Sequence, residues 1–271
     1  MSRLTPGDIA YIEKEIGAYD EEFAAATGKS MLECAREDFP FFASLKNVRA
    51  AVVPVTGGLG LIAGFAPGVR AILEHAGCQA FVTARADAAG LGEACRRGAD
   101  VVFMADDEEY IALALGGRAV SFNGAATGVA FARALALAAE GVRGKEVLVL
   151  GLGAVGLAAA KHLAEQGARV GVYDTDETRL AAATACRPEF RAAPAWRAQS
   201  HRYVLDATPV AGLLAPEHIR RGAVLSLPGI PLGADARVTG LCAAVIANPL
   251  ELGTIAMLAQ VLSLAEGTEG E

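Results

Sequence analysis

Two groups of residues in this chain have the type and spacing for chemistry. Gly151, Gly153 and Gly156 break the apolar run that starts at Glu146 into a G-x-G-x-x-G turn, with Leu152, Ala154 and Val155 between the glycines. Asp174 stands about 20 residues beyond the last of them, where a carboxylate accepts hydrogen bonds from an adenosine ribose. Such a turn suits a pyrophosphate. Gly151 permits the tight bend, Gly153 lets the backbone approach the anion, and Gly156 lets helix and strand pack closely, with the helix N–H groups aimed at the phosphates. Thr175 and Asp176 follow Asp174 where an arginine would be needed for a 2′-phosphate, so the pattern favours NAD over NADP. The second group is Ala105-Asp106-Asp107-Glu108-Glu109, just beyond the apolar run Asp100 to Met104. Asp106 sits at the strand tip, where a carboxylate could hold an ammonium group or take a proton from it. Asp107, Glu108 and Glu109 read as a helix N-terminus charged to suit its dipole.

These residues need elements to hold them. Val147 to Leu150 reads as a buried parallel strand, Leu157 to Gln166 as the helix after the glycine turn, and Arg169 to Tyr173 as the next strand. A helix from Glu177 to Ala185 and an irregular stretch around Trp196 follow. Two further strands, Arg202 to Leu205 and Ala223 to Leu225, end in Asp206-Ala207-Thr208-Pro209 and in Ser226-Leu227-Pro228-Gly229-Ile230-Pro231. Both tips are small and polar, as a flat nicotinamide and its ribose require, so these loops are expected to line the cofactor. A last strand, Ala243 to Ile246, leads through Asn248-Pro249-Leu250-Glu251 into a terminal apolar helix, and Glu266 to Glu271 reads as a frayed tail.

Upstream, Val48 to Val55, Ala80 to Thr83 and Asp100 to Met104 alternate as strands with helices Pro67 to His75 and Ala86 to Arg96. That alternation predicts a second α/β unit with parallel strands. The loop Thr56-Gly57-Gly58-Leu59-Gly60 after its first strand reads equally as a flexible turn or as the wall of a substrate pocket. The chain opens with a helix start at Thr5-Pro6-Gly7-Asp8, then Ile9, Ile12, Ile16 and Tyr19 at helical spacing, then a second helix from Ser30 to Asp38. Asn123 to Gly128 introduces an Ala-rich helix, Val129 to Glu140, between the two α/β units. The expected architecture is α/β: an N-terminal helical region (1–47), a middle α/β substrate domain (48–123) and a C-terminal Rossmann dinucleotide-binding domain (124–271).

Composition bounds the partners. The 271 residues are 53% hydrophobic and 20% charged, with a net charge of −7, which argues against nucleic acid or an anionic membrane surface and for small molecules. The apolar run Val147 to Ala160 is too short for a bilayer span, and the N-terminus carries no apolar signal region, so the chain is read as cytoplasmic. Cys34, Cys78, Cys95, Cys186 and Cys242 are scattered without metal-ligand spacing, and His75, His162, His201 and His218 add none, so no metal is expected. The sequence does not specify an oligomeric state, and a homodimer is allowed for.

The segments Val53-Pro-Val-Thr56, Met104-Ala-Asp-Asp107, Val149 to Gly156, Tyr173-Asp-Thr-Asp-Glu177, Ala207-Thr-Pro209, Pro228-Gly-Ile-Pro231 and Pro249-Leu-x-x-Gly-Thr254, in this order and spacing, resemble the PylD family of pyrrolysine-biosynthesis dehydrogenases. The resemblance runs from Leu4-Thr5-Pro6 to the terminal helix. It implies NAD-dependent oxidation of the terminal amine in the 3-methylornithine moiety of lysine-Nε-3-methylornithine. The resulting imine is attacked by the moiety's own α-amine, and a pyrroline ring closes with loss of ammonia. By the same resemblance Asp106 is the acidic residue near the reacting nitrogen, and Leu4, Val55 and Ala105 line the substrate tunnel. Thr56, Gly57 and Leu250 are further substrate contacts, while Gly151, Gly153, Gly156 and Asp174 hold the dinucleotide. Two departures stand out. The family's Val-Thr-Ser-Gly loop has Gly57 at the serine position here, and its Glu-Pro-Leu-Gly reads Asn248-Pro-Leu-Glu251. Two other readings remain open beside this one: a different NAD-dependent imine or ketone oxidoreductase, and a dinucleotide-sensing protein without chemistry.

Overall fold

The computed structural model describes residues 4–117, 119–247 and 250–268. Met1 to Arg3, Arg118, Asn248, Pro249 and the last residues of the acidic tail lie outside it, as does the side chain of Asp8 with its expected dipole contact.

The N-terminal helices are α1 (Pro6–Ile9), α2 (Ile12–Thr27) and α3 (Met31–Asp38). Ile12, Ile16 and Phe23 form the buried stripe of α2, and Gly28 ends that helix in the left-handed conformation. A reciprocal capping box starts α3: the Ser30 hydroxyl accepts from the Glu33 N–H while Glu33 accepts from the Ser30 N–H.

The middle region contains β1 (Arg49–Val53), α4 (Phe65–His75), β2 (Gln79–Val82), α5 (Asp87–Arg96), β3 (Val101–Ala105), β4 (Tyr110–Ala114) and β5 (Val120–Phe122). Its sheet runs in the order β2-β1-β3-β4-β5. β1 pairs in parallel with β2 and β3, whereas β4 and β5 are antiparallel additions. The three expected strands are parallel, β4 and β5 extend them with antiparallel strands that were not expected, and one expectation needs correction: the acidic run does not open a helix. Residues 106–109 form the tight turn of the β3–β4 hairpin, because the Asp106 carboxylate accepts from the N–H groups of Glu108 and Glu109, each at 2.8 Å, and closes the chain on itself.

After α6 (Asn123–Ala138) come β6 (Glu146–Leu150), α7 (Ala154–Glu165), β7 (Arg169–Tyr173), α8 (Glu177–Cys186), β8 (Arg191–Ala192), β9 (His201–Asp206), β10 (Ile219–Leu227), α9 (Ala236–Thr239), β11 (Cys242–Ala247) and α10 (Glu251–Thr268). α6 starts at Asn123, six residues before the expected Val129, so the Asn-Gly segment is its first turn rather than a linker. The six strands are parallel in the order β11-β10-β9-β6-β7-β8. Counted from β6, that is 3-2-1-4-5-6, the Rossmann order. The tail is less frayed than expected: Glu266 lies within α10, and its carboxylate accepts from the N–H groups of Phe42 and Ala43.

Alternation along the strands assigns the layers. Val147 and Val149 of β6, with Ala50 and Val52 of β1, face one continuous core that also holds α2, α4, α6, α7 and α10. Leu148 and Leu150 face a second cluster around Trp196, and Ala51 and Val53 a third beneath α5.

Candidate active site

The glycine turn is built as its spacing demands. Gly151 has φ +82°, and a Cβ there would sit 3.1 Å from the Ala207 carbonyl. A Cβ on Gly156 would collide with the Gly151 carbonyl oxygen, so helix and strand could not close together. At Gly153 a Cβ would meet nothing. Protein packing does not require glycine at that position, whereas a ligand approaching the start of α7 does. The Leu152 side chain is buried in the core, and its N–H donates to Asp174 Oδ2 at 2.6 Å. The Asp176 N–H donates to Asp174 Oδ1 at 2.8 Å. The carboxylate of Asp174 thus lies against the turn at the end of β7, half-exposed, as do Val155 nearby and the more open Ala154. This donor set fits a nicotinamide dinucleotide: free helix N–H groups for the pyrophosphate and a carboxylate for the ribose.

The tips of β9 and β10 form the adjoining wall, at the point where the order of the six-stranded sheet reverses between β6 and β9. Ala207 N–H donates to Leu150 O at 2.8 Å, and Gly229 N–H to Asp206 O at 3.1 Å. Gly229 is buried directly on Thr208; Ala207, Thr208, Pro228 and Ile230 are half-buried, and Pro209 and Pro231 exposed. Asp206 is 1% exposed, and burial pushes its carboxyl up to about 6 against the two hydrogen bonds from Thr208.

The first sheet has a carboxyl edge of its own. Its order turns between β1 and β3, so the loop from 54 to 64 and the turn 106–109 flank one crevice. Thr56 is pinned there: Asp87 Oδ1 accepts from its N–H at 2.8 Å and Asp87 Oδ2 from its hydroxyl. Asp87 holds this geometry with φ +54°, an uncommon backbone for a residue with a side chain. Asp107 accepts from the Leu59 N–H and ties the loop to the turn. Asp106 is exposed, and the backbone N–H groups of Glu109 and Glu108 hold its carboxyl below the usual carboxylate range. Val55, Ala105 and Leu4 are half-buried, Leu4 against the main core; Gly57 is exposed with open space around it; Leu250 is packed into the core.

The two edges meet at the start of α6. A Cβ on Gly124 would lie 2.6 Å from the Ala154 Cβ, which brings the end of β5 against the first turn of α7. On its other side, a Cβ on Gly253 would lie 2.6 Å from Thr127 Oγ1 and 3.2 Å from Asn123 Oδ1. Thr127 Oγ1 and Asn123 Oδ1 are 2.7 Å apart, and the Tyr110 and Thr254 hydroxyls 3.0 Å. The starts of α6 and α10 therefore link the first turn of α7 to the end of β5 and the start of β4.

Sequence reasoning singled out Asp106, Asp174 and the glycines as candidates, and it passed over Asp87 and the burial of Asp206. The only local signal for Asp87 is an aspartate at the start of a helix. Among the described residues no group of three His, Cys, Asp or Glu side chains converges as a metal site, and no helix is long and apolar enough to cross a membrane. His75 pairs with Asp20 at 2.8 Å and His162 with Asp38 at 3.2 Å.

Residues 8–121 match the family described as pyrrolysine biosynthesis protein PylD, N-terminal domain, and residues 121–211 the alanine dehydrogenase/PNT C-terminal domain. Pyrrolysine synthase of Methanosarcina barkeri is 34% identical over 97% of this chain and 98% of its own length. Pyrrolysine synthase of Methanosarcina acetivorans is 31% identical over 97% and 100%. In fold the chain is similar to quinate dehydrogenase of Corynebacterium glutamicum in complex with NAD, with a TM-score of 0.52, 14% identity, and coverage of 80% of this chain and 93% of that one.

Proposed function

Since the chain belongs to the PylD family of pyrrolysine synthases, we propose that it is the dehydrogenase that completes pyrrolysine, with lysine-Nε-3-methylornithine as substrate and NAD+ as oxidant. Gly151, Gly153, Gly156 and Asp174 would hold the dinucleotide, which would supply a hydride acceptor for the carbon that carries the terminal amine. That carbon becomes an imine, the moiety's α-amine adds to it, and ammonia leaves as the five-membered ring closes with its C=N bond. What supports this reading is a dinucleotide turn closed on Asp174 in the second sheet, together with a carboxylate, Asp106, held below the usual range at a strand tip of the first. Held as an anion by two backbone N–H groups, Asp106 is suited to gripping and orienting an ammonium. Of its two sequence-level roles, this one fits the lowered pKa better than proton abstraction from a stable ammonium. Asp87, by fixing Thr56, and Asp107, by fixing Leu59, hold the neighbouring loop in shape for the substrate.

The test is direct. Lysine-Nε-3-methylornithine and NAD+ should give NADH absorbance together with a product of pyrrolysine mass. No NADH with this substrate, but turnover of another amine or ketone, would move the enzyme to the broader class of imine or ketone oxidoreductases. NADH binding without turnover of any candidate would make it a sensor. Preference for NAD over NADP is assigned to Asp174. Asp174→Ala should weaken NAD+ and narrow the gap between NAD+ and NADP+; an unaltered ratio would mean another group reads the ribose.

A further inference from the structure

Asp206 is the least explained carboxyl in the fold. It is 1% exposed at the tip of β9, and its Oδ2 meets no hydrogen-bond donor among the described residues. A buried acid in that state weakens a protein unless its geometry is used. Asp206 Oδ1 accepts from both the N–H of Thr208, at 3.0 Å, and the Thr208 hydroxyl, at 2.7 Å, which folds residues 206–208 into a tight turn. Its backbone carbonyl accepts the Gly229 N–H at 3.1 Å, and Gly229 lies so close to the Thr208 carbonyl that a Cβ there would collide with it. Farther along the same loop, the Oδ2 atom fills the place a side chain on Gly233 would need. The turn is seated in its turn on the dinucleotide loop, since a Cβ on Gly151 would be 3.1 Å from Thr208 Cγ2 and from the Ala207 carbonyl. The Asp206 side chain and carbonyl thus tie the 207–209 turn to the 228–233 loop, while the glycine loop is reached only indirectly, through Ala207 and Thr208.

We infer that Asp206 is a positioning residue for the nicotinamide end of the dinucleotide site, acting through Thr208 and the 228–233 loop rather than by touching the ligand. The inference rests on the reading that a nicotinamide dinucleotide occupies this crevice. The adenosine half engages the glycine turn and Asp174 instead, and neither makes a hydrogen bond with the Asp206 side chain. Losing Asp206 therefore separates the two halves of the ligand.

Calorimetric titration with NADH and with ADP-ribose, which lacks the nicotinamide, reads this separation. Asp206→Ala should weaken NADH by about tenfold, the cost of two lost hydrogen bonds, and leave ADP-ribose within about threefold. Asp206→Asn keeps the Oδ1 acceptor and should restore NADH. Equal losses for both ligands, or no loss for NADH, would overturn the inference, because a merely structural residue would not distinguish them. If Asp206→Ala does not fold, Thr208→Val removes the hydroxyl donor alone, and it should show the same asymmetry at about threefold; symmetric behaviour would again overturn it. Wild-type protein that binds ADP-ribose but not NADH would sink the proposed function itself, an outcome distinct from any behaviour of the variants.

Discussion

Asp106 and Asp206 are both aspartates at strand tips, and their surroundings drive them in opposite directions. Backbone N–H groups pull the first below the ordinary carboxylate range, whereas burial pushes the second up to about 6. The two backbone N–H groups therefore favour the charged form of Asp106. Asp106→Asn should leave NADH affinity intact and lower kcat/KM for the amine by about 10- to 100-fold, the loss of a hydrogen bond to a charged group, measured with saturating NAD+; an unchanged kcat/KM would remove it from the substrate site. For Asp206 the sign runs the other way. A carboxyl whose pKa is raised on folding stabilises the fold relative to its ionised form below about pH 4, and that stabilisation is lost as pH rises through about 6. Asp206→Asn should thus raise the melting temperature at neutral pH, by at most about 3 kcal/mol of stability, and the gain should vanish toward about pH 4. A gain equal at both pH values would show that the burial of charge is not its cause. None of this contrast is legible in the sequence, which presents both residues as an acid after an apolar run. What separates them is whether a distant glycine loop, 228–233, closes over the tip.

At the level of elements, the glycine turn was readable because its three glycines serve local geometry, within one strand, one turn and one helix. The antiparallel strands β4 and β5 were not, because Asp-Asp-Glu-Glu resembles the charged start of a helix. The turn it forms is decided by an Asp106 side chain capping its own backbone. Helix α6 began earlier than expected for a similar reason: Gly124 and Gly128 look like breakers in isolation, yet both face α7. A Cβ on Gly128 would lie 2.8 Å from the Ala158 Cβ and collide with the Val155 carbonyl. They are the close-contact residues of a helix pair, and their helical cost is met by packing. Gly128→Leu should consequently destabilise the protein by about 2 kcal/mol or more through overpacking, seen as a lower midpoint in urea denaturation. It should also displace the start of α7 and weaken NADH. A Leu variant as stable as wild type would mean that α6 and α7 can separate freely.

Across the whole molecule, the chain passes from one sheet to the other through α6, but the core does not divide there. Buried residues of β1 and β3 belong to the same apolar cluster as those of β6, β9 and β10. α10 follows the last strand of the second sheet and packs on β4, β5, α3, α4 and α6. Its Thr254 hydroxyl meets Tyr110 of β4, and its Glu266 holds the chain at Phe42 and Ala43. Arg133 of α6 bonds Asp38 of α3 through two nitrogens, Nε at 2.8 Å, and ties the N-terminal helices to the same body. A chain wired in this way cannot release one sheet without stripping apolar cover from the other. Thermal unfolding should therefore be one cooperative transition, with far-UV and near-UV circular dichroism melting together. NADH, whose proposed site is at the glycine turn of the second sheet, should move that single transition upward as a unit, by about 2.7 kcal/mol of added stability at a hundredfold excess over its Kd. Two transitions, with only the later residues protected by NADH from hydrogen exchange, would show that the shared core does not couple the sheets and that the crevice between them is free to open.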